Sequence, residues 1–256
     1  MKIVLIGAGT VATHLGKALK QAGHDIVCVY SRTDASARTL SDVIGCSYAT
    51  SIESIDNNAD IYISALKDSV FYDLLPCIVK GRSKALFIHT AGSLPMDAWK
   101  GTAERYGVLY PMQTFSKKRN VDFKKVPLFI EANNEKNLEV LRRIANDVSE
   151  KVYEADSEKR RFLHLAAVFA CNFSNHMYAL CNEILSEHGI PFDIMLPLID
   201  ETAAKVHELS PRQAQTGPAV RYDENVIDRH LSMMEDEDMR NIYLYVSKSI
   251  NKLSGK

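Results

Sequence analysis

The chain opens with an apolar run, Ile3-Val4-Leu5-Ile6, followed at once by Gly7-Ala8-Gly9-Thr10-Val11-Ala12 and then by a stretch of helical periodicity. Few short segments constrain a fold this tightly. Gly7 permits a tight turn after the strand, and Gly9 lets the backbone approach a pyrophosphate. Ala12, standing where a third glycine often stands, still allows a helix to pack closely on a strand. The helix N-terminus then offers unpaired N–H groups and a partial positive charge to phosphates. In this strand–turn–helix setting the segment predicts a dinucleotide-binding βα unit. A glycine turn in a Rossmann-type domain that has lost its ligand is the competing reading.

The pattern that follows alternates between strand and helix. Strands are predicted over Lys2–Ile6, Asp25–Tyr30, Asp60–Ala65, Ala85–His89, Val108–Pro111 and Leu128–Glu131, with helices beginning near Thr10, Ala35, Ser69 and Pro95. Asn134 reads as the N-cap of a helix running to about Val148, and Lys151–Glu154 as a short closing strand. After Asp156 the alternation stops and long helical periods take over. One helix is expected from Ser157 to about His188, with others over Phe192–Leu209, Glu224–Glu235 and Glu237–Lys252. Ser210 through Arg221 reads as a loop. The expected architecture is therefore α/β: a Rossmann-type, mostly parallel sheet with helices on both faces (residues 1–155), followed by an all-α C-terminal domain (residues 156–256).

The end of the second strand distinguishes between dinucleotides. An NAD site normally places an acid there for the ribose 2′-hydroxyl. Here the strand runs into Ser31-Arg32-Thr33, with no acid before Asp34. Ser31 and Thr33 can donate to a 2′-phosphate, and Arg32 can supply charge or stack on adenine. The expectation is NADP. Ligands of doubly wound sheets lie outside the carboxyl ends of the strands, so Ala65-Leu66-Lys67 and Thr90-Ala91-Gly92 should border the cofactor. For His89, an ordinary hydrogen-bonded strand-end residue is at least as good a reading as a catalytic one.

Candidate substrate groups come later. Tyr110-Pro111-Met112-Gln113-Thr114-Phe115 is an apolar turn carrying Gln113, a plausible substrate wall. In the long helix, His164, Cys171 and Asn175 share a stripe at 100° per residue, and Asn172 and His176 share the adjacent face. Polar groups on an otherwise apolar helix need partners when buried. A substrate with a proton relay and an internal hydrogen-bond network satisfy that need equally well. The loop carrying Thr216, Gly217 and Arg221, with Asp223 beside it, is either substrate-facing or a surface loop with an Arg–Asp pair.

Composition excludes several classes. The net charge is −1 with Lys and Arg scattered, so the basic footprint of a nucleic-acid binder is missing. Lys117-Lys118-Arg119 and Lys159-Arg160-Arg161 read as solvated surface. The five cysteines are odd in number and none is spaced CxxC, which argues for free thiols and against a disulfide frame or a metal site. A strand begins at Lys2 where a signal peptide would need an apolar core, and no apolar run approaches a spanning length. A cytoplasmic protein that does not engage membranes is expected.

Several blocks extend along most of the chain: the glycine turn, His89-Thr90-Ala91-Gly92-Ser93-Leu94, Pro111-Met112-Gln113-Thr114-Phe115, His164 through Asn172, and Leu209-Ser210-Pro211 through Thr216-Gly217-Pro218. On these the chain resembles the NADP oxidoreductases that join a Rossmann-like domain to a helical C-terminal domain of unknown function. More distantly it is similar to 6-phosphogluconate and β-hydroxyacid dehydrogenases, pyrroline-5-carboxylate reductase and deazaflavin-dependent NADP reductases. The resemblance implies an NADP-dependent reductase of a small polar substrate held between the domains, and a homodimer formed through the C-terminal helices. One departure matters. The hydroxyacid dehydrogenases place a lysine four residues before an asparagine in the first long C-terminal helix. Here Val168 precedes Asn172 and Cys171 precedes Asn175 at that spacing. His164, whose side chain ordinarily titrates near neutrality, is the best available acid–base group, with Asn172 orienting substrate or water. An NADP-binding sensor without turnover is the alternative, and a dimerisation protein with a vestigial nucleotide fold is a third reading.

Overall fold

A computed structural model of the protein describes residues 1–255. Its first part runs β1 (Lys2–Ile6), α1 (Thr10–Gln21), β2 (Asp25–Tyr30), α2 (Asp34–Ile44), β3 (Ser47–Ala49), β4 (Ile61–Ser64), α3 (Asp68–Val79), β5 (Leu86–His89), β6 (Tyr106–Pro111), β7 (Leu128–Ala132), α4 (Glu135–Val148) and β8 (Val152–Glu154). The eight strands form one sheet in the order β3-β2-β1-β4-β5-β6-β7-β8. All pairings are parallel except β6 with β7.

Strands buried on both faces read as continuous apolar runs, and period two splits each run between two cores. Ile3 and Leu5 point to one face, where α1, α2 and α4 contribute Leu15, Leu19, Leu40, Ile44, Leu141 and Ile144. Val4 and Ile6 point to the other, under Phe71, Leu75 and Ile78 of α3 and the buried Trp99. The strand order reverses at β1, between β2 and β4. That reversal opens a crevice at the carboxyl edge of the sheet.

Three-residue β3, too short to show a pattern, is an additional strand. The helix expected from Pro95 is a single 3₁₀ turn, Met96–Trp99. Trp99 is drawn into the core, and Gly101, at φ +80°, then turns the chain away.

The remainder is helical: α5 (Ser157–Ala167), a π-helical segment (Val168–Phe173), α6 (Ser174–Glu187), a 3₁₀ turn (Phe192–Met195), α7 (Leu196–Lys205), α8 (Pro211–Ala214), a 3₁₀ turn (Pro218–Arg221), α9 (Glu224–Ser232) and α10 (Glu237–Ser254). The Ser210–Arg221 stretch is thus more ordered than a loop. Ser210 and Gln213 form a capping box around α8, and Asn251 and Ser254 donate to the Val220 carbonyl at 3.2 and 3.1 Å.

The change of secondary-structure class falls after Glu154, but contacts divide the chain later, into Met1–Asn172 and Phe173–Lys256. Arg160 is one tie between α5 and the sheet. Its guanidinium pairs with Glu131 of β7 and donates to the Leu94 carbonyl at 2.6 Å, holding α5 to the sheet. Arg160 is fully buried, which overturns the reading of Lys159-Arg160-Arg161 as a solvated cluster. The second unit, taken alone, has a sparse core. Leu185, Ala219 and Ile227 are its buried hydrophobic residues among those described, while Leu198, Met233 and Tyr245 are well exposed.

Candidate functional site

The turns at the carboxyl edge of the sheet are built around Gly7. Its N–H donates to the Tyr30 carbonyl at 2.8 Å, and its φ is +112°. A Cβ at this position would lie 2.7 Å from the Ala65 carbonyl oxygen. The first turn is therefore wedged between the tips of β2 and β4, with room for glycine alone. Gly9 differs: it is exposed, and a Cβ built on it meets nothing within 4 Å. The backbone there faces open space that a ligand can approach.

Three helices begin at this edge without a side-chain cap: α1 after Gly9, α2 after Thr33 and α3 after Lys67. Elsewhere Asn134, Asp156, Asp223 and Asp236 each cap a helix with a side-chain oxygen. First-turn N–H groups need an acceptor, and an anion serves where no side chain does. Arg32 and Lys67 sit exposed in the same turns, and among the described residues neither forms an ion pair. Uncapped N-termini, two available cations and the bare backbone at Gly9 fit the phosphates of a dinucleotide. No carboxylate stands at the end of β2 itself.

The next turn supports this edge. His89 is buried against Phe71 and Trp99. Its Nδ1 accepts from the Ala91 N–H at 3.3 Å, so its Nε2 donates to the Pro95 carbonyl, also at 3.3 Å. Burial, with the nearby Arg160 charge second, pushes its pKa down to about 3. His89 is thus a neutral strut that shapes the turn from Thr90 to Pro95. Thr90 is buried, with Oγ1 3.5 Å from the Ser64 carbonyl.

A cavity of about 380 Å³ opens beside the π-helical segment, within the first unit. Its polar lining includes Tyr110, Gln113, His164, Cys171 and Asn172, among otherwise apolar neighbours such as Met112, Leu163 and Val168. His164, Asn172 and Gln113, proposed from sequence on separate grounds, do meet there. Asn175 and His176 are not in its lining. A π turn carries more residues than an α turn, so the simple 100° stripe does not continue through Val168–Phe173.

Tyr110 Oη lies 3.2 Å from His164 Nδ1, and their rings meet edge to face with centroids 6.1 Å apart. Burial, with the Cys171 thiol adding to it and Arg160 opposing, holds the Tyr110 phenol above its ordinary pKa. Gly92 closes this corner. A Cβ there would lie 2.9 Å from His164 Cγ and Nδ1 and from Tyr110 Cζ. Gly92, expected at the cofactor, is thus also the surface on which these two rings rest.

Thr216, Gly217 and Arg221 belong to the second unit. Gly217 takes φ +102° and Arg221 is exposed. Asp223 caps α9 by accepting from the Val226 N–H, and among the described residues it makes no ion pair with Arg221. That removes the Arg–Asp pair from the two readings of this loop.

Sequence reasoning passed over Tyr110 as a polar group in its own right, and also Arg160, Glu131 and Ser157. The last three form one cluster: Ser157 Oγ donates to Glu131 at 2.8 Å and accepts from the Met96 N–H at 2.8 Å. A charged triplet gives no sign of which member turns inward. Glu131, at the end of an apolar strand, was the available hint.

Two family models match the chain. One, described as coenzyme F420-dependent NADP oxidoreductase, covers residues 2–91. The other, a domain of unknown function, covers residues 126–250. No curated protein matches the chain. Among solved structures, a Bacteroides fragilis protein assigned as an NADP oxidoreductase is 56% identical, with 98% of each chain covered and a TM-score of 0.95. A Thermotoga maritima protein is 20% identical over 99% of this chain and 98% of its own, with a TM-score of 0.72. The NADP-bound pyrroline carboxylate reductase of Plasmodium falciparum is 13% identical, with 98% of each chain covered and a TM-score of 0.62. The last two are alike in fold alone.

Proposed function

The chain belongs to the NADP oxidoreductase family, and from that premise we propose that it reduces or oxidises a small polar substrate at the cavity lined by Tyr110, His164 and Asn172. The observation that carries the cofactor half of this reading is the meeting of three uncapped helix N-termini at one sheet edge, beside Gly7 and Gly9. NADP, when bound, supplies or accepts the hydride. Gly7 through Ala12 take the pyrophosphate on the α1 N-terminus. Ser31, Arg32 and Thr33 take the 2′-phosphate, while Ala65, Leu66, Lys67, Thr90, Ala91 and Gly92 border the rest of the dinucleotide.

The protein's own work at the reacting carbon is positioning and proton transfer. His164 exchanges the proton, Asn172 and Gln113 orient the substrate's polar atom, and Met112, Leu163 and Val168 keep water away. Thr216, Gly217 and Arg221 are proposed as further substrate contacts. Five free thiols support a reducing, cytoplasmic setting.

A second copy of this chain is the proposed partner, joined through the C-terminal helices. Its support is the poverty of the second unit's core: Leu185, Ala219 and Ile227 are few for a unit of that length, while Ile194, Leu196, Leu198 and Val206 lie exposed.

The test is NADPH oxidation followed with a panel of cyclic imines, ketones, aldehydes and deazaflavins, alongside calorimetric titration with NADP and NAD. The expected result is turnover of at least one member, reduced about 100-fold or more in His164→Ala. Tight NADP binding without turnover of any member would favour a nucleotide sensor. That reading draws on Val168 standing where related dehydrogenases carry lysine.

A further inference from the structure

Two groups that can carry a proton line the same cavity, and they are bonded to each other. Tyr110 leaves the sheet at the end of β6 with its phenol buried, whereas His164, on the first long helix, is exposed. The 3.2 Å contact between Oη and Nδ1 joins the interior of the cavity to a residue in touch with solvent. Three segments distant in sequence specify this pair: β6, α5 and the turn at Gly92, whose missing side chain is what lets the rings meet.

Building on the oxidoreductase reading, we propose that Tyr110 is the catalytic residue that protonates the substrate, with His164 as the relay that restores its proton. As the substrate's C=O or C=N carbon takes a hydride from the reduced nicotinamide, its heteroatom takes the phenolic proton from Tyr110 Oη. Oη takes the Nδ1 proton of the His164 imidazolium in the same event, and solvent then reprotonates the exposed imidazole. The substrate gains a hydride and a proton, the nicotinamide is oxidised by two electrons, and the protein returns to its starting state. Coupling the two transfers matters because burial disfavours a free tyrosinate, so the phenol cannot release its proton first. Either atom can donate across this contact: Nδ1 donates to Oη while the imidazole carries the extra proton, and Oη donates to Nδ1 once that proton has passed on, with the same heavy-atom geometry. The assignment moves the acid–base role one bond inward, from the exposed imidazole to the buried phenol.

The experiment uses full-length wild type, Tyr110→Phe, His164→Ala and the double variant, with the imine or carbonyl compound from the panel that wild type reduces fastest. Tyr110→Phe keeps the ring and its volume, and its melting temperature reports that the fold is intact. The expected result is a loss of about 100-fold or more in kcat for each single variant, with the double variant no worse than the poorer single. A readout independent of turnover is the ¹⁵N spectrum of the imidazoles, with the His164 resonances assigned from His164→Ala. In Tyr110→Phe the His164 Nδ1 resonance should shift as its hydrogen bond is lost. Wild-type turnover with Tyr110→Phe within threefold of it overturns the assignment alone, as does a His164 resonance indifferent to Tyr110→Phe. No turnover by wild type of any panel member, with the imidazole shift present, overturns the hydride-transfer reading and this assignment together.

Discussion

Arg160 of α5 and Glu131 of β7 form a buried ion pair, with Nη1 and Oε2 2.5 Å apart, no exposure of the arginine side chain and 15% of the glutamate side chain. The second guanidinium nitrogen goes to the Leu94 carbonyl and to Ser157 Oγ. This cluster sets α5, and with it His164 one helical turn later, against the Gly92–Met96 turn. Breaking one partner of a buried pair strands the other charge. Arg160→Met should lower the free energy of unfolding by roughly 3–5 kcal/mol, toward the lower figure because Glu131 keeps some access to water. Adding Glu131→Leu should recover most of the loss. Urea unfolding of the three proteins measures both effects, and a loss below about 1 kcal/mol for Arg160→Met would count against a structural pair.

His89 makes a prediction in pH. Its pKa falls from 6.5 to about 3 on folding, chiefly through burial. Between those values the unfolded chain binds a proton that the folded chain refuses. The stabilisation is complete above the unfolded pKa and is lost as pH falls toward the folded one, by up to about 1.4 kcal/mol per pH unit. Carboxylates titrate in the same range, so the useful quantity is a comparison with His89→Asn. The wild-type unfolding free energy should fall more steeply with acid, by close to one proton's worth, between about pH 4 and 6. Parallel profiles for the two proteins would mean that His89 charges in the native state.

The parallel sheet was legible in sequence because its strands are apolar on both faces and punctuated by glycine turns. The Lys2–Ile6 and Asp25–Tyr30 boundaries coincide with those expected. Asn134 also caps α4 as its residue type suggested. What escaped was decided by tertiary contact. Arg160 is locally indistinguishable from Lys159 and Arg161, and its sequence-distant partners, Glu131 and the Leu94 carbonyl, turn it inward. The pairing of Tyr110 with His164 spans 54 residues and depends on a glycine in a third segment. Nor does the apolar–polar period announce a π-helical turn, since Val168–Phe173 reads as ordinary helix. The turn after β1 was more visible because it is built on backbone: Gly7 and Gly9 leave a mark in sequence, whereas the missing caps of α2 and α3 do not.

Arg32 is exposed beside the uncapped start of α2, with no carboxylate at the end of β2 to favour a 2′-hydroxyl. A charge-assisted hydrogen bond to a 2′-phosphate contributes about 1.5–3 kcal/mol, and an exposed site sits at the lower figure. Arg32→Ala should therefore weaken NADP binding about 10-fold while leaving NAD within about threefold, so the preference collapses. Because Arg32 is exposed, raising salt roughly tenfold should erode NADP affinity more in wild type than in the variant. Calorimetric titration with both dinucleotides gives the ratio directly. Equal loss for NAD and NADP would assign Arg32 to the adenine ring.

Leu198 is 63% exposed on α7, in a unit whose buried hydrophobic side chains are Leu185, Ala219 and Ile227 among those described. Full burial of a leucine contributes about 1.5–3 kcal/mol, so a second copy covering this face, as proposed, would stabilise it strongly. Sedimentation at micromolar concentration should give the mass of a dimer. Leu198→Glu removes the apolar contact and, on a two-fold face, places a carboxylate on each side of it. Taking a charge out of water at such a face costs several kcal/mol more, so the dimer dissociation constant should rise at least about 100-fold. Folding in this unit should weaken with it, giving a melting temperature that depends on protein concentration. A wild-type monomer would remove the dimer reading. A Leu198→Glu protein that dimerises as tightly as wild type would keep the dimer but move its interface off α7.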